Sequence, residues 1–250
     1  MKDHNYFLDC DGLSIRYTFL YRETSSFFDG YLCEGPDDRA GIGVCVTKEY
    51  MEENRWLVSE DERSAAFLEY QALMLATGNE LLLHRRALFH GASFLWNGRA
   101  WILTAPSGTG KTTQLRHWRN LLKSGVKVIN GDKPLLAVQE DGTVYVCSSP
   151  WRGKEKYGIR GLRAPLGGII MLVQGDHNEI GRLDAADAVV PLFAEFISYP
   201  ENAQQIRCQA GMLRRMLSTV PVWKLVNLGE EGSAAMTVQA LARYMEEDNE

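Results

Sequence analysis

One stretch limits this chain more than any other: Trp-Ile-Leu-Thr-Ala-Pro-Ser-Gly-Thr-Gly-Lys-Thr-Thr, residues 101–113. An apolar run passes straight into small, flexible residues, then into a lysine and two hydroxyls. Strand, small-residue loop, lysine, hydroxyl, helix is the order that a phosphate-binding loop requires. Glycines let successive backbone N–H groups curl around an anion with no Cβ in the way. The start of the following helix adds its partial positive charge. An ordinary strand–turn–helix with a solvated lysine explains so many small residues poorly. Ser107, Gly108, Thr109, Gly110, Lys111, Thr112 and Thr113 are therefore the expected nucleotide-binding residues. Lys111 would reach the β- and γ-phosphates of ATP, and the Thr112 hydroxyl would ligate Mg2+. Ala105 stands where the GxxxxGK[ST] pattern has its first glycine. A methyl group is tolerable there provided that the position needs no positive φ.

A second element is needed to hold the metal. The apolar run 126–130 ends in Gly131-Asp132-Lys133-Pro134. An apolar strand ending in Asp beside the P-loop strand is the Walker B arrangement. Asp132 is thus the expected second Mg2+ ligand and a group able to accept a proton from an attacking hydroxyl. Alone, an Asp before Lys-Pro reads equally well as a turn former. His90 precedes Gly91 and leads into the strand pair that delivers the loop, which makes it a candidate for a catalytic or phosphate-proximal role beside Asp132 and Lys111. A structural histidine is the plain alternative.

Around this centre the periodicity predicts a mixed α/β chain with an antiparallel, β-rich N-terminal part. Residues 13–21 and 41–46 read as strands, joined by the connection 33–41. Residues 59–76 read as a helix that a Ser59–Glu62 capping box opens and Gly78 ends. Strands over 89–95 and Arg99–Thr104 flank the hairpin dipeptide Asn97-Gly98. Helices follow at Lys111–Leu122, 185–197, 201–217 and 233–245, with strands at 126–130, 143–147, 167–173 and 222–228. The division expected is 1–80, a β-rich region with one helix packed on the remainder, and 81–250, a P-loop kinase-like domain.

Residues 88–113, together with Val-Lys-Val-Ile-Asn-Gly-Asp-Lys-Pro-Leu-Leu at 126–136, resemble the catalytic domain of HPr kinase/phosphorylase and its relatives. That family has the phosphoenolpyruvate carboxykinase-like P-loop fold. The resemblance spans about residues 85–175. His90-Gly91 matches the family's His-Gly, and Gly110-Lys111-Thr112 its P-loop. Gly131-Asp132 matches the family's Asp-Asp pair in its second residue only. The resemblance implies a Mg-ATP-dependent kinase that phosphorylates a hydroxyl, such as the serine of a small protein or peptide, or a small molecule. It also implies a homo-oligomer, because relatives form rings. Since the family's first Asp is Gly131 here, a nucleotide-binding regulatory or assembly module with little turnover is the alternative. The segment 148–158 looks like one found in uncharacterised relatives near the approach of a target. There Arg152 or Lys154 would steady phosphate and Glu155 would replace the missing carboxylate; a solvated charged loop reads equally well. The loop is also similar to that of ATP-dependent phosphoenolpyruvate carboxykinase, but that enzyme's further substrate motifs are absent.

Other classes fit poorly. A formal charge of −5 is no footprint for general nucleic-acid binding. Arg116, Arg119 and Lys123 read as the solvated face of one helix, and no guanine-reading NKxD stretch occurs. Five cysteines without a CxxC pair suggest reduced thiols in a cytoplasmic protein, and no zinc site. The opening Met-Lys-Asp-His-Asn-Tyr is too polar for a signal peptide, and no run is long enough to span a membrane.

Overall fold

The computed structural model describes residues 5–35, 41–59, 64–106 and 108–247. Near the N-terminus β1 (Asn5–Cys10) and β2 (Leu13–Tyr17) form a hairpin. Its two-residue turn, Asp11-Gly12, has positive φ at both positions (57° and 82°), which matches the twist of the strands it joins. Strands β3 (Leu32–Gly35) and β4 (Ile42–Val44) complete a four-stranded sheet in the order β3-β1-β2-β4. β4 joins β2 in parallel, so this sheet is not purely antiparallel as expected. The short helix α1 (Lys48–Glu53) follows, its first turn capped by the Thr47 hydroxyl.

Helix α2 (Ala65–Leu82) covers the small sheet. Its Ncap is Ser64, whose hydroxyl accepts from the Phe67 N–H at 3.1 Å, rather than Ser59; Glu62 lies outside the described residues. Gly78 does not end the helix. It lies in the interior, where an added Cβ would sit 1.9 Å from the Ile197 carbonyl oxygen. The glycine therefore serves close packing rather than termination. Glu69, fully buried on the same helix, accepts from the Leu20 N–H (2.5 Å), the Tyr21 N–H (3.1 Å) and the Thr24 hydroxyl. One side chain thereby ties α2 to the chain leaving β2. The apolar cluster beneath α2 joins Leu8, Ile15, Tyr17 and Phe28 to Leu88, Leu135, Cys147 and Trp151. The N-terminal region and the larger sheet thus share a core.

The larger sheet is mixed. β5 (Arg86–Leu88), β9 (Leu135–Val138), β10 (Val144–Cys147), β11 (Arg163–Gln174), β7 (Arg99–Thr104), β6 (Ala92–Trp96) and β8 (Lys127–Asn130) lie in that order. β13 (Val222–Asn227) also pairs with β11, and β12 (Glu179–Leu183) with β13. β11 runs parallel to both β7 and β13, while the other pairings of this sheet are antiparallel. The expected Asn97-Gly98 hairpin is present, again with two positive φ values (48° and 74°). One topological expectation fails. β8 is not beside the P-loop strand β7, because β6 lies between them. Four helices complete the chain: α3 (Lys111–Leu122), α4 (Ala185–Ala194), α5 (Ala203–Thr219) and α6 (Glu231–Glu247). α3 buries Lys111, Gln114, Leu115 and Trp118 and turns Arg116 and Arg119 outward. The Trp118 ring centroid lies 4.7 Å from that of Phe94, tilted, and 5.3 Å from that of Trp96, edge to face, and such pairs add about 0.5–1.5 kcal/mol each beyond area burial. Helix α3 is therefore fixed to the hairpin that precedes it. No described helix is long and apolar enough to cross a membrane.

Candidate functional site

Strand β7 delivers Thr104 to the loop 105–110, and α3 begins at Lys111. Gly108 and Gly110 take φ of 81° and 103°, and added Cβ atoms there would meet nothing within 4 Å. These glycines supply backbone conformation rather than clearance. Ala105 is not among the residues with positive φ, and its side chain is buried in the apolar cluster under α3. The loop thus accepts a methyl where the common pattern has glycine. Ser107 lies outside the described residues. Thr109 donates its hydroxyl to the Pro106 carbonyl at 2.8 Å. Gly110, the residue before the helix, carries no capping side chain, so the first N–H groups of α3 have no capping side-chain acceptor from that position. Thr112 and Thr113 sit half-buried in this first turn.

Lys111 points back into its own loop. Its Nζ donates to the Ala105 carbonyl at 2.6 Å and lies 3.4 Å from that of Pro106. Burial lowers the pKa of its ammonium group; Glu195 and Asp132 act in the opposite direction, and Lys133 adds to the lowering.

Asp132 follows β8 in a turn that Asn130 organises. The Asn130 Oδ1 accepts from the Asp132 and Lys133 N–H groups at 2.9 and 2.8 Å, and its amide donates to Ser149. One Asp132 oxygen pairs with the Lys133 ammonium, and the other lies 3.7 Å from His90 Nε2. His90 is held at every backbone group in reach. Its N–H donates to the Glu195 carbonyl at 2.7 Å, its carbonyl accepts from the Thr104 hydroxyl at 2.9 Å, and the next N–H, of Gly91, donates to the Asp132 carbonyl at 2.8 Å. Gly91 also lets the chain lie close against β7, since a Cβ there would lie 2.7 Å from the Ile102 side chain and 3.0 Å from the Leu103 carbonyl oxygen. The structure therefore brings His90 and Asp132 together, and the charges of Asp132 and Glu195 act on Lys111.

Glu195 was not foreseen from the sequence. It closes α4, and its carboxylate lies 2.8 Å from His90 Nδ1. Residues 88–90 and 195–197 run side by side, through the Phe89–Phe196 bridge and the Ile197 N–H to the Leu88 carbonyl. Such an isolated pairing, more than a hundred residues apart, leaves no local pattern. The only cue was an acidic residue at the end of a helix otherwise apolar in its last turn.

Gly131 is crowded. A Cβ there would lie 3.0 Å from Tyr157 Cβ and 3.3 Å from the carbonyl oxygens of Arg152 and Tyr157. The loop 151–158 thus lies over the position at which the resemblance expects a carboxylate. Arg152 is committed elsewhere: it pairs with Asp29 and stacks over Tyr31 at 5.5 Å. Lys154 and Glu155 are exposed.

The donor set suits a hard cation only when phosphate oxygens complete it. No group of three or more His, Cys, Asp or Glu side chains able to hold a metal occurs among the described residues. Thr112 and Asp132 are the side chains that could offer a hydroxyl and a carboxylate to a Mg2+ ion carried in on a nucleotide.

No family model matches the sequence, and no curated protein matches it. Among solved structures, that of the Hpr(Ser) kinase/phosphatase from Coxiella burnetii is similar over 64% of this chain and 98% of its own, at 9% identity and a TM-score of 0.37. What the chain shows in its own right is a mixed α/β fold, with mixed sheets and a strand-rich N-terminal part.

Proposed function

We propose that the chain is an HPr kinase-like, Mg-ATP-dependent phosphotransferase acting on a hydroxyl, such as a serine of a small protein or peptide. Ser107, Gly108, Thr109, Gly110, Lys111, Thr112 and Thr113 would bind the phosphates, with Thr112 and Asp132 sharing Mg2+. Asp132 would orient or accept the proton of the acceptor hydroxyl, aided by His90. The observation that supports this reading is geometric: His90 Nε2 lies 3.7 Å from an Asp132 oxygen, and the hydroxyl of Thr104, the residue that leads into the glycine-rich loop, donates to the His90 carbonyl at 2.9 Å. Phosphoryl transfer asks mainly for positioning and charge neutralisation, which this short set supplies. Calorimetry with ATP, GTP and ADP on the parent and on Lys111→Ala tests the first branch. Loss of binding in the variant is expected, and unchanged binding overturns it. A mass-spectrometric search for ATP-dependent phosphate on co-expressed partners tests the second.

The crowded Gly131 favours one other reading, a nucleotide-binding regulatory or assembly module with little turnover. Tight Mg-ATP binding, with no ADP formed against any peptide or small hydroxyl, would decide for it.

A further inference from the structure

We infer that Glu195 is a positioning residue. It holds the His90 ring with the Nδ1 proton directed at the Glu195 carboxylate, so that the Nε2 lone pair faces Asp132 and stands beside it as a second acceptor for the one proton of a hydroxyl seated between them. The consequence for rate rests on the phosphotransfer reading above; the geometry does not.

Three observations support it. The contact from Nδ1 to Glu195 is short, at 2.8 Å, whereas Nε2 to Asp132 is 3.7 Å, beyond a direct hydrogen bond. A carboxylate only accepts, so on the neutral ring the proton belongs on Nδ1. The second nitrogen is then an acceptor by default, because which ring nitrogen is protonated follows from the bond that the other makes. Glu195 also grips the same histidine through its backbone carbonyl, at 2.7 Å, so ring and main chain are anchored to one residue. Finally, both partners are shielded, with 23% and 13% of their side chains exposed, which limits competition from water.

The test is nitrogen NMR of the full chain at alkaline pH. The histidine signals are assigned by comparison with His90→Asn. The parent should show His90 as the Nδ1–H tautomer. Glu195→Met, which removes the acceptor and keeps volume, should give a mixture, and Glu195→Gln, which retains an acceptor, should stay close to the parent. An Nε2–H tautomer in the parent overturns the inference without any variant, and so does a tautomer indifferent to Glu195→Met. Kinetics give a second readout. Glu195→Met should slow ADP formation by about a hundredfold, at the lower end of what a positioned acid or base contributes, while ADP affinity stays within about twofold. Equal losses in rate and affinity would overturn it. Should the parent form no ADP, the phosphotransfer reading fails and the tautomer alone decides.

Discussion

Restoring the missing carboxylate by Gly131→Asp should damage this protein rather than improve it. The new Cβ would lie 3.0 Å from Tyr157 Cβ and 3.3 Å from each of two carbonyl oxygens. Packing an extra carbon into a filled space costs about 1–3 kcal/mol. The carboxylate then faces the Arg152 and Tyr157 carbonyls, which are acceptors and cannot satisfy it. An unsatisfied polar group adds about 1–3 kcal/mol. The sum is about 2–6 kcal/mol, and Gly131→Ala should show only the first part. Relief requires the loop 151–158 to lift, which breaks the 2.9 Å bond from the Gly131 N–H to the Tyr157 carbonyl. Urea unfolding followed by tryptophan fluorescence gives the number directly, since Trp151 lies in that loop. At about 2–4 °C per kcal/mol for a chain of this size, the aspartate variant should melt roughly 5–20 °C below the parent. An aspartate variant within about 0.5 kcal/mol of the parent, the range of an inert surface change, would refute the crowding argument. A stable variant with faster transfer would further show that the site accepts two carboxylates after all.

Three other outcomes follow from the same geometry. Lys111 has a pKa lowered by burial from the ordinary 10.5, so its charge penalises the fold in full below the folded value, and the penalty disappears between that value and 10.5. The stability of the parent relative to Lys111→Met should therefore rise with pH across that window, read as the difference in urea midpoints. Gly78→Ala should cost about 3 kcal/mol or more, at or beyond the upper end for overpacking, because the obstacle is the Ile197 backbone; thermal unfolding checks it. Glu69→Gln should cost about 1–3 kcal/mol, since an amide nitrogen would oppose one of the donors that Glu69 now accepts, and a urea midpoint equal to the parent's would count against it.

What could be read from the sequence is what neighbouring residues decide. α3 begins and ends where the Lys111–Leu122 pattern places it, and the Asn97-Gly98 turn takes the two positive φ values that its dipeptide favours. The long strand β11 was seen only in its glycine-bounded apolar part, because Pro165 in the Arg163–Leu166 segment reads as a break in a strand. β5 and β12 escaped for a related reason, being short or polar and fixed by partners far along the chain. β3 runs into the stretch expected to be a connection, and β1 and β9 were missed although each pairs with the strand that follows it. The error at Gly78 is of another kind. Glycine near the end of a helical pattern reads as a stop, whereas here a distant carbonyl requires the missing Cβ. In the candidate site, His90, Lys111 and Asp132 carried local motifs. Glu195 did not, because its place beside His90 comes from α4 returning across the sheet edge.

That division also says which part of the site must move. The His90 backbone is tied to the Thr104 hydroxyl and the Glu195 carbonyl, and the next N–H, of Gly91, to the Asp132 carbonyl, each bond worth about 0.5–1.5 kcal/mol net, so the position of His90 does not await a ligand. Asp132 is held by the Asn130 turn. Lys111 is different: its ammonium occupies its own loop by donating to the Ala105 carbonyl. A hydrogen bond from a charged donor contributes about 1.5–3 kcal/mol, and it must be given up before the lysine can reach a phosphate. A phosphate oxygen carries formal charge and the carbonyl does not, so the exchange favours the anion, the more so in a buried setting that already disfavours an uncompensated ammonium. If the loop takes a phosphate as proposed, capture would begin with this one side-chain exchange, with His90 and Asp132 already in place.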